Sequence, residues 1–172
     1  MGLFAERGVA GTPTAAISKA AGVAEGTLFR YFKTKDELIN ELYLVLRKMF
    51  DEQLRELPAG ADVRARLRFV WDRYLDIGLA HPEYVEVIRQ LRVSGRLRKE
   101  LVQEGVMMSE LVTGTRQAVA ASEFHHASPE YVILLLRAHG EATIEYVAGH
   151  PEEEAFCREL GFQLIWRGMT GK

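Results

Sequence analysis

The spacing of the apolar residues constrains this chain most, because they recur every three or four positions with no strand-like alternation beyond a few residues. This spacing predicts an all-α fold. Glycine and proline interrupt the pattern at turns, and Thr34 with Glu37 forms a capping-box sequence before a long helix. Thr12 or Thr14 is expected to cap the second helix. The first helices are expected at residues 1–8, 12–21, 25–31 and 34–57.

A stretch that contains Pro58 and Gly60 ends the fourth helix and marks the change from a small head to a larger body. We assign residues 1–45 to the head and residues 46–172 to the body. Further helices are expected at residues 62–80, 82–94, 97–122, 128–148 and 152–169. The predicted architecture is a three-helix head followed by a helical bundle.

Composition excludes several classes of protein. The 172 residues are 48% hydrophobic and 27% charged, which is typical of a globular protein with a substantial core. No segment approaches the ~18 uncharged apolar residues of a membrane span, and no signal peptide is evident, so we expect a cytoplasmic protein without membrane contact. The single cysteine, Cys157, excludes an intrachain disulfide and a cysteine-rich zinc site. It is expected to pack as a small apolar residue, with redox sensing as the alternative.

The charge of the chain is distributed unevenly. The formal net charge of −2 argues against a protein that coats nucleic acid with a uniformly basic surface. Residues 1–35, however, contain five basic and two acidic residues, so this segment carries +3 and the other 137 residues carry −5. We therefore expect a small basic head on an acidic body, with any binding of nucleic acid confined to the head.

Two short predicted helices joined at Gly22 and braced by a third indicate a helix-turn-helix, in which the second helix of the motif enters the major groove of DNA. Gly22 suits the turn because glycine adopts a left-handed backbone conformation at little cost. The inner apolar face is expected to comprise Ile17, Ala20, Ala21, Val23, Leu28 and Phe32. The outward residues of the recognition helix are expected to be Glu25, Gly26, Thr27, Arg30 and Tyr31.

The segment from Leu3 to Leu38 resembles the DNA-binding domain of the tetracycline-repressor (TetR) family. The resemblance rests on LFAERG at residues 3–8, Thr12, ISKAAGV at residues 17–23 and GTLFRYFKTKDEL at residues 26–38. It covers 36 residues, and the rest of the chain is similar in architecture only. The resemblance implies a homodimeric transcriptional regulator, and most simply a repressor. Such a protein binds a palindromic operator in double-stranded DNA and is released by a small, mostly apolar effector.

The resemblance also implies roles for individual residues. Thr12, Tyr31 and Lys35 would contact phosphates, which position the protein on DNA. Thr27 and Arg30 would matter most for the choice of sequence, because they would reach base edges. The implied DNA-binding residues are Thr12, Ala15, Glu25, Gly26, Thr27, Arg30, Tyr31, Lys33 and Lys35.

The segment departs from the family pattern at three places. Ala24 replaces a serine that often caps the recognition helix, at a cost of ~1 kcal/mol. Glu25 places a carboxylate near DNA phosphates, which is unfavourable unless it accepts a hydrogen bond from cytosine or pairs with a lysine. Met1 corresponds to the interior of the first helix of the family, so the first turns and any basic N-terminal arm are expected to be missing.

The body helices are expected to surround a ligand cavity, as the resemblance implies. Pockets are mostly apolar with a few polar anchors, and core packing is the alternative for every candidate. The candidate lining residues are Trp71, Tyr74, Tyr84, Met107, Met108, Leu111 and Tyr131. Arg137, His139 and Glu141 interrupt an apolar run and would either anchor a polar ligand group or lie in ordinary exposed or interface positions. His125 and His126 are adjacent on a predicted helix and point in different directions, so we expect no metal site.

The last two predicted helices carry more apolar surface than a monomer of this size easily buries. Small residues among them permit close helix crossing, and pairing across a two-fold axis would give a four-helix dimer interface. The expected interface residues are Leu135, Ala138, Ala142, Tyr146, Leu160, Gly161, Leu164 and Gly168. Two alternatives stay open: a dimeric DNA-binding or protein-interaction module without an effector, and an enzyme. No catalytic set, cofactor fingerprint or phosphate loop in the sequence favours the enzyme.

Overall fold

The computed structural model describes residues 2–53, 56, 60–104, 117 and 128–170. These residues form α-helices joined by short turns. The helices are α1 (Gly2–Gly11), α2 (Thr14–Ala20), α3 (Glu25–Tyr31), α4 (Lys35–Gln53), α5 (Val63–Ala80), α6 (Pro82–Val93), α7 (Lys99–Glu104), α8 (Pro129–Gly149) and α9 (Glu154–Thr170), with a short 3-10 turn at Pro151–Glu153. The all-α prediction is confirmed. In the part of the chain described, no helix is long and apolar enough to span a membrane.

The chain forms two compact units. The head unit comprises Met1–Lys48 and Glu83–Gly105, and the body unit comprises Met49–Pro82 and Val106–Lys172. The predicted head ended at residue 45 and did not include the α6–α7 segment. That segment packs with the head because its apolar residues complete the head's core.

The core of the head unit lies between α1, α4, α6 and α7. On α4 and α6 its members are spaced three or four residues apart, as an amphipathic face requires. They are all buried, and the fully enclosed ones lie on α4 and α6. The core residues are Phe4, Val9, Ile39, Tyr43, Leu46, Val87, Leu91, Leu97 and Leu101.

The end of α1 differs from the predicted boundary. The helix was expected to end at Gly8, which has a φ of 75° and a ψ of 157° and forms a kink within α1. Because this backbone conformation favours glycine, the chain turns there and continues to Gly11. The Val9 amide then donates to Gln90 Oε1 at 3.1 Å, which links α1 to α6.

Two predicted caps differ in detail from the structure. Pro13 is the residue before α2, so the prediction that Thr12 or Thr14 caps that helix is wrong. At α4, Thr34 Oγ1 accepts from the Glu37 amide at 3.1 Å, which confirms one half of the capping box. The Glu37 carboxylate accepts from the Lys33 amide instead of the Thr34 amide that the motif requires.

The body unit is built on α5, α8 and α9, which pack through two aromatic residues of α5. Trp71 and Tyr74 are buried, and each lies against a glycine of another helix. A methyl group added at Gly161 would lie 2.6 Å from Trp71 Cζ2, and one added at Gly140 would lie 2.6 Å from Tyr74 Cδ1. The close approach of these helices therefore depends on residues without a side chain.

Arg158 joins α9 to α5 through carboxylates. Its guanidinium lies 2.8 Å from Asp76 Oδ1 and 2.9 Å from Glu154 Oε1, and it also donates to the Asp72 carbonyl at 3.0 Å. The side chain is 17% exposed, so these bonds are screened less than those of a surface pair. Asp62 and Ser128 cap α5 and α8, with bonds of 2.8 and 3.2 Å to backbone amides.

Candidate functional site

The turn between α2 and α3 fixes the geometry of the helix-turn-helix. Gly22 has a φ of 68°. Its amide donates to the Lys19 carbonyl at 3.1 Å, and the Val23 amide donates to the Ser18 carbonyl at 3.0 Å. These bonds form a Schellman motif, which ends α2 and redirects the chain into α3. The predicted role of Gly22 is confirmed, and α3 has the predicted bounds.

The outward face of α3 is open. Glu25, Gly26, Thr27 and Arg30 are exposed, and Tyr31 is 75% exposed. A methyl group added at Gly26 would have no neighbouring atom within 4 Å, so a binding partner can approach the backbone of α3 closely there. The face has the small and hydrogen-bonding groups that major-groove recognition requires.

The inward face of the motif is smaller than predicted. Leu28 is buried and Ile17 is partly buried, whereas Ala20, Ala21 and Val23 are exposed, contrary to expectation. Ser18 takes an inner position because its hydroxyl donates to the Ala15 carbonyl at 3.1 Å, which satisfies its polar group.

Glu25 has a partner within the motif. The Thr14 hydroxyl donates to Glu25 Oε1 at 2.9 Å, so the carboxylate is held between the first turn of α2 and the first turn of α3. Ala24 precedes α3 without a side-chain cap, as its residue type requires. The carboxylate at the helix N-terminus also offsets the exposed amides there.

The predicted phosphate contacts differ in accessibility. Thr12 is fully buried, and its hydroxyl donates to the Gly8 carbonyl at 2.7 Å and to the Leu3 carbonyl at 3.2 Å. Its side chain therefore braces α1 and does not face a phosphate. Ala15 and Lys33 are exposed, in keeping with the roles that the resemblance implies.

Lys35 lies at the start of α4, close to the end of α1. Its Nζ donates to the Ala10 carbonyl at 3.2 Å. Partial burial lowers the pKa of Lys35 below its usual value, and the nearby Arg96 guanidinium lowers it further. Lys35 and Arg96, which are distant in the sequence, thus lie near each other on the head unit.

The predicted ligand-pocket residues that the structure describes lie in different surroundings. Trp71 is 1% exposed, with its Nε1 donating to the Arg158 carbonyl at 2.9 Å, and Tyr74 is packed against Phe50. Both residues fill the body core. Tyr84 belongs to the head unit, where it packs against that unit's core. Met107, Met108 and Leu111 lie outside the described residues.

Tyr131 lies instead at a cleft between α8 and α9. The cleft has a volume of about 360 Å³ and is largely apolar. Its lining residues are Tyr131, Leu135, His139, Leu164, Ile165, Gly168 and Met169. Burial lowers the pKa of His139, which also packs against Trp71 with ring centroids 5.6 Å apart. One predicted pocket residue and three predicted interface residues therefore share this cleft.

The predicted interface residues form an exposed apolar face, with one correction. Gly161 is buried against Trp71 of its own chain, so it cannot lie in an interface. The other seven residues are exposed: Leu135, Ala138, Ala142, Tyr146, Leu160, Leu164 and Gly168. Phe156 is 63% exposed on α9 and extends the face.

Asn40 is a structural residue that sequence reasoning missed. It is 5% exposed, and its Nδ2 donates to the Arg96 carbonyl at 3.2 Å and to the Asp36 carbonyl at 2.6 Å. Its Oδ1 accepts from the Arg98 amide at 2.9 Å. The available signal was an amide side chain on the apolar face of α4, beside Ile39 and Tyr43.

Metal binding finds no support in the described residues, where no group of three or more histidine, cysteine or carboxylate side chains is placed to hold an ion. His125 and His126 lie outside those residues. Cys157 is half-buried and forms no disulfide.

Comparison with known proteins places the head in an established family. Residues 1–42 match the family described as bacterial regulatory proteins, tetR family. The HTH-type transcriptional repressor KstR2 of Rhodococcus jostii (strain RHA1) is 37% identical over 84 residues, which are 46% of this chain and 40% of that protein. The chain spans less than half the length of the curated relatives it matches.

Solved structures are similar over the whole chain. A TetR-like transcriptional regulator from Rhodococcus sp. RHA1 has a TM-score of 0.76 and 26% identity, over 99% of this chain and 91% of that one. The transcriptional regulator FadR from Bacillus subtilis, in complex with stearoyl-CoA, has a TM-score of 0.69 and 14% identity, over 99% and 94% of the two chains. The helix-turn-helix head thus matches the tetR family of bacterial regulatory proteins, and the chain as a whole is similar in fold to TetR-like regulators.

Proposed function

We propose that the protein is a transcriptional repressor that binds a palindromic operator as a homodimer and is released by a small, mostly apolar effector. The observation that carries the proposal is the exposed face of α3, which offers Gly26, Thr27, Arg30 and Tyr31 from a rigid helix-turn-helix. Base contacts select sequence, and phosphate contacts hold the protein in register. The match of residues 1–42 to a family of regulatory proteins favours regulation over catalysis.

Selection of bound sequences from a randomised pool of duplex DNA tests this proposal. The wild-type protein should enrich an inverted repeat. Thr27→Ala and Arg30→Ala should relax the preference at individual positions, with ~1–3 kcal/mol of discrimination lost at each. Tyr31→Phe should weaken binding to all sequences equally, because its hydroxyl is assigned to a phosphate. A pool without enrichment would reject sequence-specific binding.

Salt dependence isolates the phosphate contacts. Lys35→Ala should reduce the slope of log affinity against log salt by about one unit, since each neutralised phosphate contributes ~0.9. Lys48→Ala is the matched control. Lys48 is an exposed lysine further along α4, where the head unit ends. Equal slopes for the two variants would remove Lys35 from the DNA contacts.

The homodimer is proposed to form through the exposed apolar face of α8 and α9. A second copy is the favoured occupant because the face is continuous with the cleft at Leu135 and Leu164, and a palindromic operator requires two heads. Light scattering should find a dimer at micromolar concentration, and Leu160→Glu with Leu164→Glu should give a monomer. Glu154→Gln on the same helix should leave the dimer intact. A wild-type monomer contradicts the proposal.

The effector is proposed to be mostly apolar because the similar FadR was solved with stearoyl-CoA, which carries a long apolar acyl chain. Long-chain acyl-CoA and free fatty acid are suitable first probes. A true effector should raise the melting temperature and release DNA, since it stabilises the state it binds. A chain that responds to neither probe nor to a wider apolar panel would fit the alternative of an effector-free regulator.

Coupling between effector and DNA is proposed to pass along α4. This helix of 19 residues is about 28 Å long, starts in the head unit and ends in the body unit. Recognition helices must reach half-sites ~34 Å apart, so a small tilt of α4 would lower operator affinity. Operator affinity with and without the effector measures the coupling, and an unchanged affinity would reject it.

A further inference from the structure

A short basic segment, Ser94 to Lys99, lies on the head unit although it is about sixty residues from α3 in sequence. It contains Arg96, Arg98 and Lys99 with no acidic residue, and all three basic residues are exposed. Neither the helix-turn-helix nor the proposed dimer face includes this segment.

The segment is held firmly in place. Leu97 is buried in the head core, while Asn40 accepts from the Arg98 amide and donates to the Arg96 carbonyl. Gly95 has a φ of 68°, which turns the chain after α6 into this position. The backbone on both sides of Leu97 is therefore fixed, so its neighbouring arginines project from an ordered base.

The segment lies beside the cations that are expected to meet DNA. A cleft of about 460 Å³ brings together three basic side chains, Lys33, Arg96 and Arg98. Three carboxylates also line it: Asp36, Glu37 and Glu41. Arg96 is close enough to Lys35 to lower the pKa of that lysine. The basic surface around the start of α4 thus has a second contributor.

Nearby carboxylates do not neutralise the whole segment. Asp36 lies 2.7 Å from the Arg96 guanidinium, but both side chains are well exposed, and such pairs are worth only ~0.2–1 kcal/mol. Glu37, which accepts from the Lys33 amide, and Glu41 line the same cleft and offset part of its positive charge. Within the part of the chain that the structure describes, the side chains of Arg98 and Lys99 are held in no ion pair.

We propose that Arg96, Arg98 and Lys99 form a second phosphate-binding element of the head, which grips the DNA backbone beside Lys33 and Lys35. The inference rests on the proposed DNA-binding function. The element would contribute affinity without sequence preference, because phosphates are the same at every base pair. It would also connect the α6–α7 segment to DNA directly.

The test compares salt slopes for a duplex of random sequence. The double variant Arg98→Gln, Lys99→Gln should lower the slope by about two units and weaken binding at low salt by at least tenfold. The control variant Arg64→Gln, Arg167→Gln removes the same charge from exposed positions of the body unit. Its slope should stay within half a unit of wild type. Melting curves should show both variants folded, since the substituted side chains are exposed.

The outcomes separate the two proposals. A wild-type protein that binds no duplex overturns the DNA-binding function and this inference together. A wild-type protein whose slope falls with Lys35→Ala but not with Arg98→Gln, Lys99→Gln overturns the inference alone, and leaves the segment as a surface for an acidic protein partner. A loss of slope in the double variant but not in the control supports the second phosphate-binding element.

Discussion

Glycine serves opposite purposes in the two units. In the head, Gly26 lies on α3 with open space where a side chain would be, whereas in the body Gly161 lies under the Trp71 ring. The first leaves the recognition helix bare for a partner, and the second lets two helices of the same chain approach closely. An open surface and a close helix contact thus both require glycine, for different reasons. Only the residues around each glycine distinguish the two cases.

The units also differ in how their helices are joined. Hydrogen bonds that involve Asn40, Gln90 and Thr12 connect the pieces of the head, while the body adds aromatic rings packed against glycines to the bonds of Arg158. Directional bonds fix the orientation of short segments, and apolar packing fixes the spacing of long ones. Substitutions should therefore act differently in the two units.

The largest expected effect is in the body core. Trp71→Ala should lower the free energy of unfolding by ~3–5 kcal/mol, because it removes a buried ring and the hydrogen bond to the Arg158 carbonyl. Tyr31→Ala, at an exposed aromatic of the head, should change it by less than ~0.5 kcal/mol. Urea denaturation followed by circular dichroism measures both. A loss below ~1 kcal/mol in the free energy of unfolding for Trp71→Ala would mean that Trp71 lies in an adaptable pocket and not in a tightly packed core.

The glycine comparison predicts opposite signs. Gly161→Ala should destabilise the body by ~1–3 kcal/mol, because the new methyl group would lie 2.6 Å from Trp71 and 3.1 Å from His139 Nε2. Gly26→Ala should stabilise α3 by ~0.5–1 kcal/mol and lower DNA affinity, since it adds a group to the contact face. Thermal melts and DNA titrations of the two variants decide the matter. Equal destabilisation by the two variants would contradict the proposed difference between the two glycines.

Asn40 tests the hydrogen-bonded construction of the head. Asn40→Ala should destabilise it by ~1–3 kcal/mol, because the Arg98 amide and the Arg96 carbonyl lose their partner. Asn40→Asp keeps the acceptor for the Arg98 amide, so it should recover part of that loss. Hydrogen exchange should show faster exchange at the Arg98 amide in the alanine variant. Unchanged exchange there would show that the segment is held by Leu97 alone.

The smallest expected effect is the pH dependence of the body. Burial holds the pKa of His139 below its usual 6.5, so the unfolded chain takes up this proton more readily than the folded chain. Stability from this group is therefore complete near pH 7.5 and is lost as the pH falls below 6.5. The urea midpoint should fall less between pH 7.5 and 5.5 in His139→Gln than in wild type. His150→Gln, at an exposed histidine, should behave as wild type.

Local sequence was sufficient where structure depends on neighbours in the chain. The bounds of α3 were predicted correctly because Gly22 permits the turn before it and its apolar position, Leu28, has few alternatives. Asp62 and Ser128 begin their helices close to the predicted starts for the same reason, since capping is a contact over three residues. The DNA contacts, the ligand pocket and the dimer interface stay predictions.

Tertiary contacts decided the rest. Thr12 was assigned to a phosphate by its position in a motif, but its hydroxyl bonds to carbonyls of α1. Gly161 was assigned to a dimer interface by its size, but it lies under Trp71. In both cases the residue type fits two different environments. The contact that the residue makes with another part of the chain decides between them.

The sequence by itself determined an all-α chain, a helix-turn-helix around Gly22 and a head that matches the tetR family, because these follow from periodicity and from short-range turns and motifs. Only the tertiary structure placed the α6–α7 segment on the head and set Arg96 beside Lys35. No local pattern encodes that placement. It depends on Leu97 finding the head core and on Asn40 satisfying backbone groups more than fifty residues away.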